Sequence, residues 1–183
     1  MKKVLLLGDS IRLNYQDEVK NLLEGIAEVY CPAENCRFAK YTLWCLGEWL
    51  ILGGGKYDII HWNNGIWDAF IPDHLSEPFT VIDDYLRDMM KVFEVLKKTG
   101  AKIIFAATTA VKPDLINTNN SRIEYYNSCI ISLLKVKNVI INDLYTPVKE
   151  HLNEYIADDN LHLSEAGIKA LGGIVAEKIK ESF

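Results

Sequence analysis

Five short apolar runs, at residues 3–7, 28–31, 57–62, 102–106 and 139–141, punctuate the chain, and longer stretches of helical period separate them. Runs this short and this continuously apolar read as strands covered on both faces. Parallel strands need long crossovers, and the intervening segments are long enough to supply them. Each crossover carries one apolar face. Between residues 82 and 96, Ile82, Tyr85, Leu86, Met89, Val92, Phe93 and Leu96 fall on one side of a helix that Gly100 terminates. After Ser164, an N-cap by type and position, Ile168, Leu171, Val175 and Ile179 repeat the pattern, with Lys169, Glu177, Lys178 and Glu181 opposite. Buried strands alternating with amphipathic helices predict an α/β protein: a three-layer α/β/α sandwich around a five-stranded parallel sheet, built as a single domain over residues 1–183. Two irregular stretches, residues 67–80 and 108–121, follow strands and so belong at the carboxyl edge of the sheet, where open parallel sheets bind ligands.

Charge and composition narrow the partners. Lys and Arg number 20 against 25 Asp and Glu, a formal net charge of −5, and no basic run is interleaved with aromatics. Neither nucleic acid nor a membrane surface is an expected partner. A homo-oligomer is compatible with the composition but not indicated by it. The opening Met1-Lys2-Lys3 and the apolar residues 4–7 are too short for a secretion signal, because Gly8, Asp9 and Ser10 interrupt them, and no later run reaches the length of a membrane span. A cytoplasmic protein is therefore expected. Cys31, Cys36, Cys45 and Cys129 include no CxxC pair, and His61, His74 and His151 lack metal-ligand spacing, so neither a metal nor another cofactor is expected.

Chemistry concentrates at three places. Gly8-Asp9-Ser10 puts a hydroxyl just past the first strand, where a helical segment opens. Gly8 permits a tight turn, and the unpaired N–H groups of a helix start can hold the oxyanion of a carbonyl attacked by Ser10. Taken alone, the tripeptide reads more simply as a helix N-cap. Near the other end, Asp158-Asp159-Asn160-Leu161-His162 precedes the last helix. An aspartate three residues before a histidine can fold onto imidazole Nδ1 and leave Nε2 free to accept a proton, which favours Asp159 over Asp158, although both residue types are ordinary in loops. The third place is His61-Trp62-Asn63-Asn64-Gly65, where an apolar strand runs into two asparagines. An amide at a strand end can face the oxygen that becomes negative in acyl transfer, while Asn64-Gly65 by itself is a common turn dipeptide.

These three blocks, in this order, resemble the SGNH or GDSL hydrolase superfamily, and the resemblance spans nearly the whole chain. It implies a flavodoxin-like fold and an ester-cleaving triad with Ser10 as nucleophile, His162 as base and Asp159 as its orienting partner. Asp9 would then bond the turn rather than move protons. The resemblance also implies an oxyanion hole made by the Ser10 N–H, a backbone N–H of the second block and an asparagine amide. The sequence departs from the family pattern twice. Gly65-Ile66-Trp67-Asp68 has tryptophan where the third block carries its asparagine; a branch of the superfamily has that asparagine two residues before the glycine, which points to Asn63 rather than Asn64. In Glu34-Asn35-Cys36-Arg37, Cys36 stands nearest the glycine of the second block, and its N–H is assigned that donor's place.

Three further residues are candidate substrate contacts. Trp67, at the mouth of the site, either packs on a sugar ring or covers the edge of the core. Asn64 adjoins Asn63. Arg12, one turn past the nucleophile, meets either a substrate carboxylate or a neighbouring acid such as Asp68, and the second is preferred. Gly53-Gly54-Gly55-Lys56 follows a helical stretch and precedes a strand, the wrong order for a phosphate loop, and reads as a helix stop. The sequence thus predicts a serine esterase acting on short acyl, chiefly acetyl, esters of a carbohydrate-like or small-molecule alcohol. An acyltransferase on the same triad and a non-catalytic flavodoxin-like binding module are the alternatives.

Overall fold

All five apolar runs become strands, each within two residues of its expected bounds. In the computed structural model, which describes residues 1–183, the elements in chain order are β1 (Lys2–Leu7), α1 (Ser10–Leu22), β2 (Ala27–Tyr30), α2 (Ala39–Trp49), β3 (Ile59–Trp62), α3 (Ile66–Ala69), α4 (Ile82–Lys97), β4 (Lys102–Ala106), α5 (Asn120–Val136), β5 (Ile140–Asn142), α6 (Tyr145–Glu150), α7 (Leu152–Tyr155) and α8 (Glu165–Lys180). The strands form one parallel sheet in the order β2-β1-β3-β4-β5. Helices cover both faces, so the architecture is the three-layer α/β/α sandwich that the alternation implied. Helix α3 overlaps the start of the stretch read as irregular from residue 67; at four residues it is too short to show a period.

The pleat divides the core in two. Leu5, Leu7, Ile60, Trp62 and Phe105 turn to the face covered by α2, α4 and α5, while Val4, Leu6, Ile59, Ile104 and Ala106 turn to the face covered by α1 and α8. On the second face, Ile11, Tyr15 and Val19 of α1 join Leu171, Val175, Ala176 and Ile179 of α8 in one apolar cluster. The two helices approach closely at Gly172, where a Cβ would stand 2.5 Å from Glu18 Cγ. From β1 the chain winds first outward to β2 and then back to β3 on the other side of β1. At that reversal the loops after β1 and β3 diverge and leave a crevice at the carboxyl edge.

The two irregular stretches are tied to each other. Ile71 N–H donates to the Asn117 carbonyl at 2.8 Å, Asn117 Nδ2 donates back to Ile71 O at 2.8 Å, and the Arg122 guanidinium reaches Ala69 O at 3.2 Å. They form a common rim over the crevice. No helix is long and apolar enough to cross a membrane.

Gly167, in the first turn of α8, donates its N–H to Ser164 Oγ at 3.1 Å and lies against the Tyr155 carbonyl, which a Cβ would overlap. Gly167→Ala is expected to lower the unfolding free energy in urea by about 1–3 kcal/mol. Gly173→Ala, in the same helix but with open space around its Cβ, is expected to be neutral or to stabilise by up to about 1 kcal/mol.

Candidate active site

β1 ends at Leu7, and the next three residues make the turn into α1. Gly8 is required there, because a Cβ would come within 2.8 Å of Arg12 Cβ. Asp9, extended at φ −78° and ψ −155°, is the helix N-cap: its Oδ1 accepts the Ile11 N–H at 3.0 Å. The capping function falls to the aspartate, and the Ser10 hydroxyl is left over. Ser10 is the first residue of α1, and its own N–H has no backbone acceptor, as expected of an opening turn.

The segment between α7 and α8 brings in the histidine. Ile156 and Leu163 form an antiparallel bridge, Ala157 N–H donates to His162 O at 2.8 Å, and Asn160 takes φ 69° at the tip of the loop. Asp159 closes this loop on itself. Its Oδ1 accepts the N–H groups of Leu161 and His162 at 3.0 and 2.8 Å, and its Oδ2 faces His162 Nδ1 at 2.6 Å. Burial pulls the Asp159 pKa upward, but the bonds from the His162 ring and from the His162 and Leu161 N–H groups outweigh it and hold the carboxyl down at about 2. Asp159 rather than Asp158 therefore faces the imidazole, as a carboxylate. With hydrogen on Nδ1, His162 Nε2 is the acceptor for the Ser10 hydroxyl, 2.9 Å away across 152 positions of sequence. Asn14 of α1 fixes the loop from the other side by accepting the Leu163 N–H at 3.1 Å.

The remaining candidates divide. Asn63 follows β3 beside the Gly8–Ser10 turn, its Cβ 3.7 Å from where a Gly8 Cβ would stand. Its Nδ2 donates to Ala106 O at 2.8 Å and, at a longer 3.4 Å, to Thr108 Oγ1. Cys36 is not available as an oxyanion donor, because its N–H is spent on Gly8 O at 3.1 Å. Asn64 is no substrate contact: it is fully buried, Nδ2 donating to Arg37 O at 2.9 Å and Thr42 Oγ1 at 2.8 Å, and Oδ1 accepting Trp62 Nε1 at 2.8 Å. Arg12 meets neither a substrate nor Asp68. It is buried at 1% exposure and donates to the carbonyls of Gly8, Pro32 and Glu34 at 3.2, 2.9 and 2.6 Å, and to Gln16 Oε1. It holds the loop after β2 against the turn after β1.

Ser10 and His162 open onto a cleft of about 280 Å³, walled by Asn35, Ile66, Trp67, Phe70 and Leu161. Trp67, 40% exposed, lies at this cleft as the sequence placed it. Ile66, Phe70 and Leu161 were not foreseen, since an apolar residue beside a motif looks no different from a core residue. Asn35 carried a signal only in lying next to Cys36 in the second block.

No protein-family model matches the chain, and no curated sequence does. Solved structures do match in fold. An acetyl xylan esterase superposes with a TM-score of 0.82 at 17% identity, covering 97% of this chain and 99% of that one. A lipase/acylhydrolase from Enterococcus faecalis gives 0.82 at 19% identity, with 99% and 96% covered. Axe2, an acetylxylan esterase from Geobacillus stearothermophilus, gives 0.79 at 17%, with 99% and 93% covered. The fold of these enzymes is the fold of this chain, in agreement with the resemblance read from its motifs.

Two carboxyl groups lie buried behind the site. Asp68 accepts the Ala39 N–H with both oxygens, at 3.2 and 3.1 Å, and so caps α2 from α3. Burial pushes its pKa up to about 7 against the pull of Thr80 and Ala39. Burial likewise raises Asp9 to about 6 against the Ile11 N–H and the charges of Arg12 and His162, and its Oδ2 has no hydrogen-bond partner. Both folded values lie above the ordinary 3.8, so the stability they contribute is complete below that value and fades as pH climbs through about 6 to 7. The melting temperature of Asp68→Asn, which keeps an acceptor for Ala39 without the ionisation, is expected to gain on that of the wild type as pH rises from about 5 to about 8. A constant gap across that range would contradict this account of Asp68.

Proposed function

We propose that the chain is a serine esterase that hydrolyses short acyl, chiefly acetyl, esters of a carbohydrate-like or small-molecule alcohol. One observation carries the reading: Ser10 Oγ, His162 Nε2, His162 Nδ1 and Asp159 Oδ2 stand in one hydrogen-bonded line, with gaps of 2.9 and 2.6 Å, at the floor of an open cleft. Ser10 Oγ attacks the ester carbonyl carbon as His162 Nε2 takes its proton, and the carbonyl π pair moves to oxygen. Collapse expels the alcohol, which leaves with the proton from His162. Water then attacks the acyl-enzyme with His162 again as base, releasing the acid and restoring Ser10. Asp159 keeps the ring in the required tautomer and stabilises the imidazolium. The oxyanion is met by the Ser10 N–H and by Asn63 Nδ2, which turns from its long contact with Thr108.

The acyl and alcohol parts share a cleft whose walls are largely apolar, and its exposed indole offers a face to a sugar ring. Two of the structures sharing this fold are acetyl xylan esterases, which supports an acetylated carbohydrate as substrate.

With p-nitrophenyl acetate, Ser10→Ala and His162→Ala are each expected to lower kcat by about 10⁵-fold or more and Asp159→Asn by about 10⁴-fold. Unchanged turnover in Ser10→Ala would remove the proposal.

A further inference from the structure

With Cys36 committed to Gly8, the second-block place in the oxyanion hole lacks a donor. The geometry points to the side-chain amide of Asn35 as that donor, an inference that rests on the esterase reading above. Asn35 is part-buried and lines the cleft together with Ser10 and His162. Its Oδ1 accepts the Arg37 N–H at 2.7 Å, which fixes the plane of the amide, and its Nδ2 donates to no other group of the protein. An amide fastened by its oxygen, with its nitrogen unspent beside a nucleophile, is a preorganised hydrogen-bond donor.

The surrounding loop is held unusually firmly for a segment without regular structure. Arg12 grips the carbonyls of Pro32 and Glu34, Cys36 N–H bonds Gly8 O, Thr42 Oγ1 donates to Cys36 O at 2.9 Å, and Asn64 Nδ2 donates to Arg37 O. Arg37 itself sits at φ 51°, a left-handed conformation that a non-glycine residue keeps only where its neighbours enforce it. These contacts direct the backbone N–H of Cys36 away from the cleft and leave the Asn35 side chain facing it. The donor thus passes from main chain to side chain, and a place that needs no particular residue becomes one that needs an amide.

Asn35→Asp separates this role from a structural one. Aspartate keeps the size of the side chain and an oxygen for Arg37 N–H, so the turn survives, but it removes the donating nitrogen and sets a negative oxygen in its place. For Asn35→Asp and Asn35→Ala, kcat on p-nitrophenyl acetate is expected to fall by about 10²-fold or more with KM within about threefold of wild type. The melting temperature of Asn35→Asp should stay near that of the wild type. A tetrahedral boronic acid adduct of Ser10 should weaken in parallel with kcat/KM. Full turnover in Asn35→Asp or in a folded Asn35→Ala, alongside an inactive Ser10→Ala, would overturn the assignment of Asn35 and leave the esterase reading standing. Activity that survives Ser10→Ala would overturn both.

Discussion

Ser10 and His162 meet only because the first and last helices pack side by side on one face of the sheet. The 2.9 Å contact between their side chains is part-buried and is worth about 1 kcal/mol, too little to order a loop against its conformational entropy. The ordering comes from beneath. Tyr15, Val19, Leu171, Val175 and Ile179 are buried in one cluster, at about 1.5–3 kcal/mol for each aliphatic side chain, and Gly172 lets the helices close to van der Waals distance. Apolar packing therefore sets the registration, and the polar line Ser10, His162, Asp159 is laid on top of it.

The other half of the site is organised by a buried cation without a carboxylate partner in hydrogen-bonding contact. Burying a guanidinium is costly unless its donors are satisfied, and Arg12 spends its donors on the carbonyls of Gly8, Pro32 and Glu34 and on Gln16. Those acceptors lie on the turn after β1, on α1 and on the loop after β2. The arginine therefore works as a rivet between the turn that carries Ser10 and the loop that carries Asn35. Lysine, a single point charge, could not span them.

The strands were legible because a parallel sheet demands continuous apolar runs, and Ser10, Asp159 and His162 because Gly-Asp-Ser and the Asp-to-His spacing are short-range features. What failed was direction. Cys36 was placed by its position in a motif, but where a backbone N–H points is decided by φ and ψ, and the left-handed Arg37 beside it cannot be read from residue type. Asn64 was a candidate substrate contact because it adjoins Asn63, yet its side chain is consumed by Arg37, Thr42 and Trp62, while that of Asn63 lies beside Gly8 and bonds Ala106 O. Arg12 and Asp68 were paired as opposite charges, whereas the carboxylate turned to the unpaired start of α2 and the guanidinium to carbonyls. In each case a long-range hydrogen bond decided the outcome, and such bonds leave no local pattern.

The distance along the chain between the hydroxyl and its imidazole also bears on synthesis. The ribosome releases residue 10 well before residue 162, and the histidine loop is held in register only once α8 lies against α1. In a nascent or C-terminally shortened polypeptide Ser10 therefore stands without its imidazole partner, and the contact that joins them forms only once the last helix has docked.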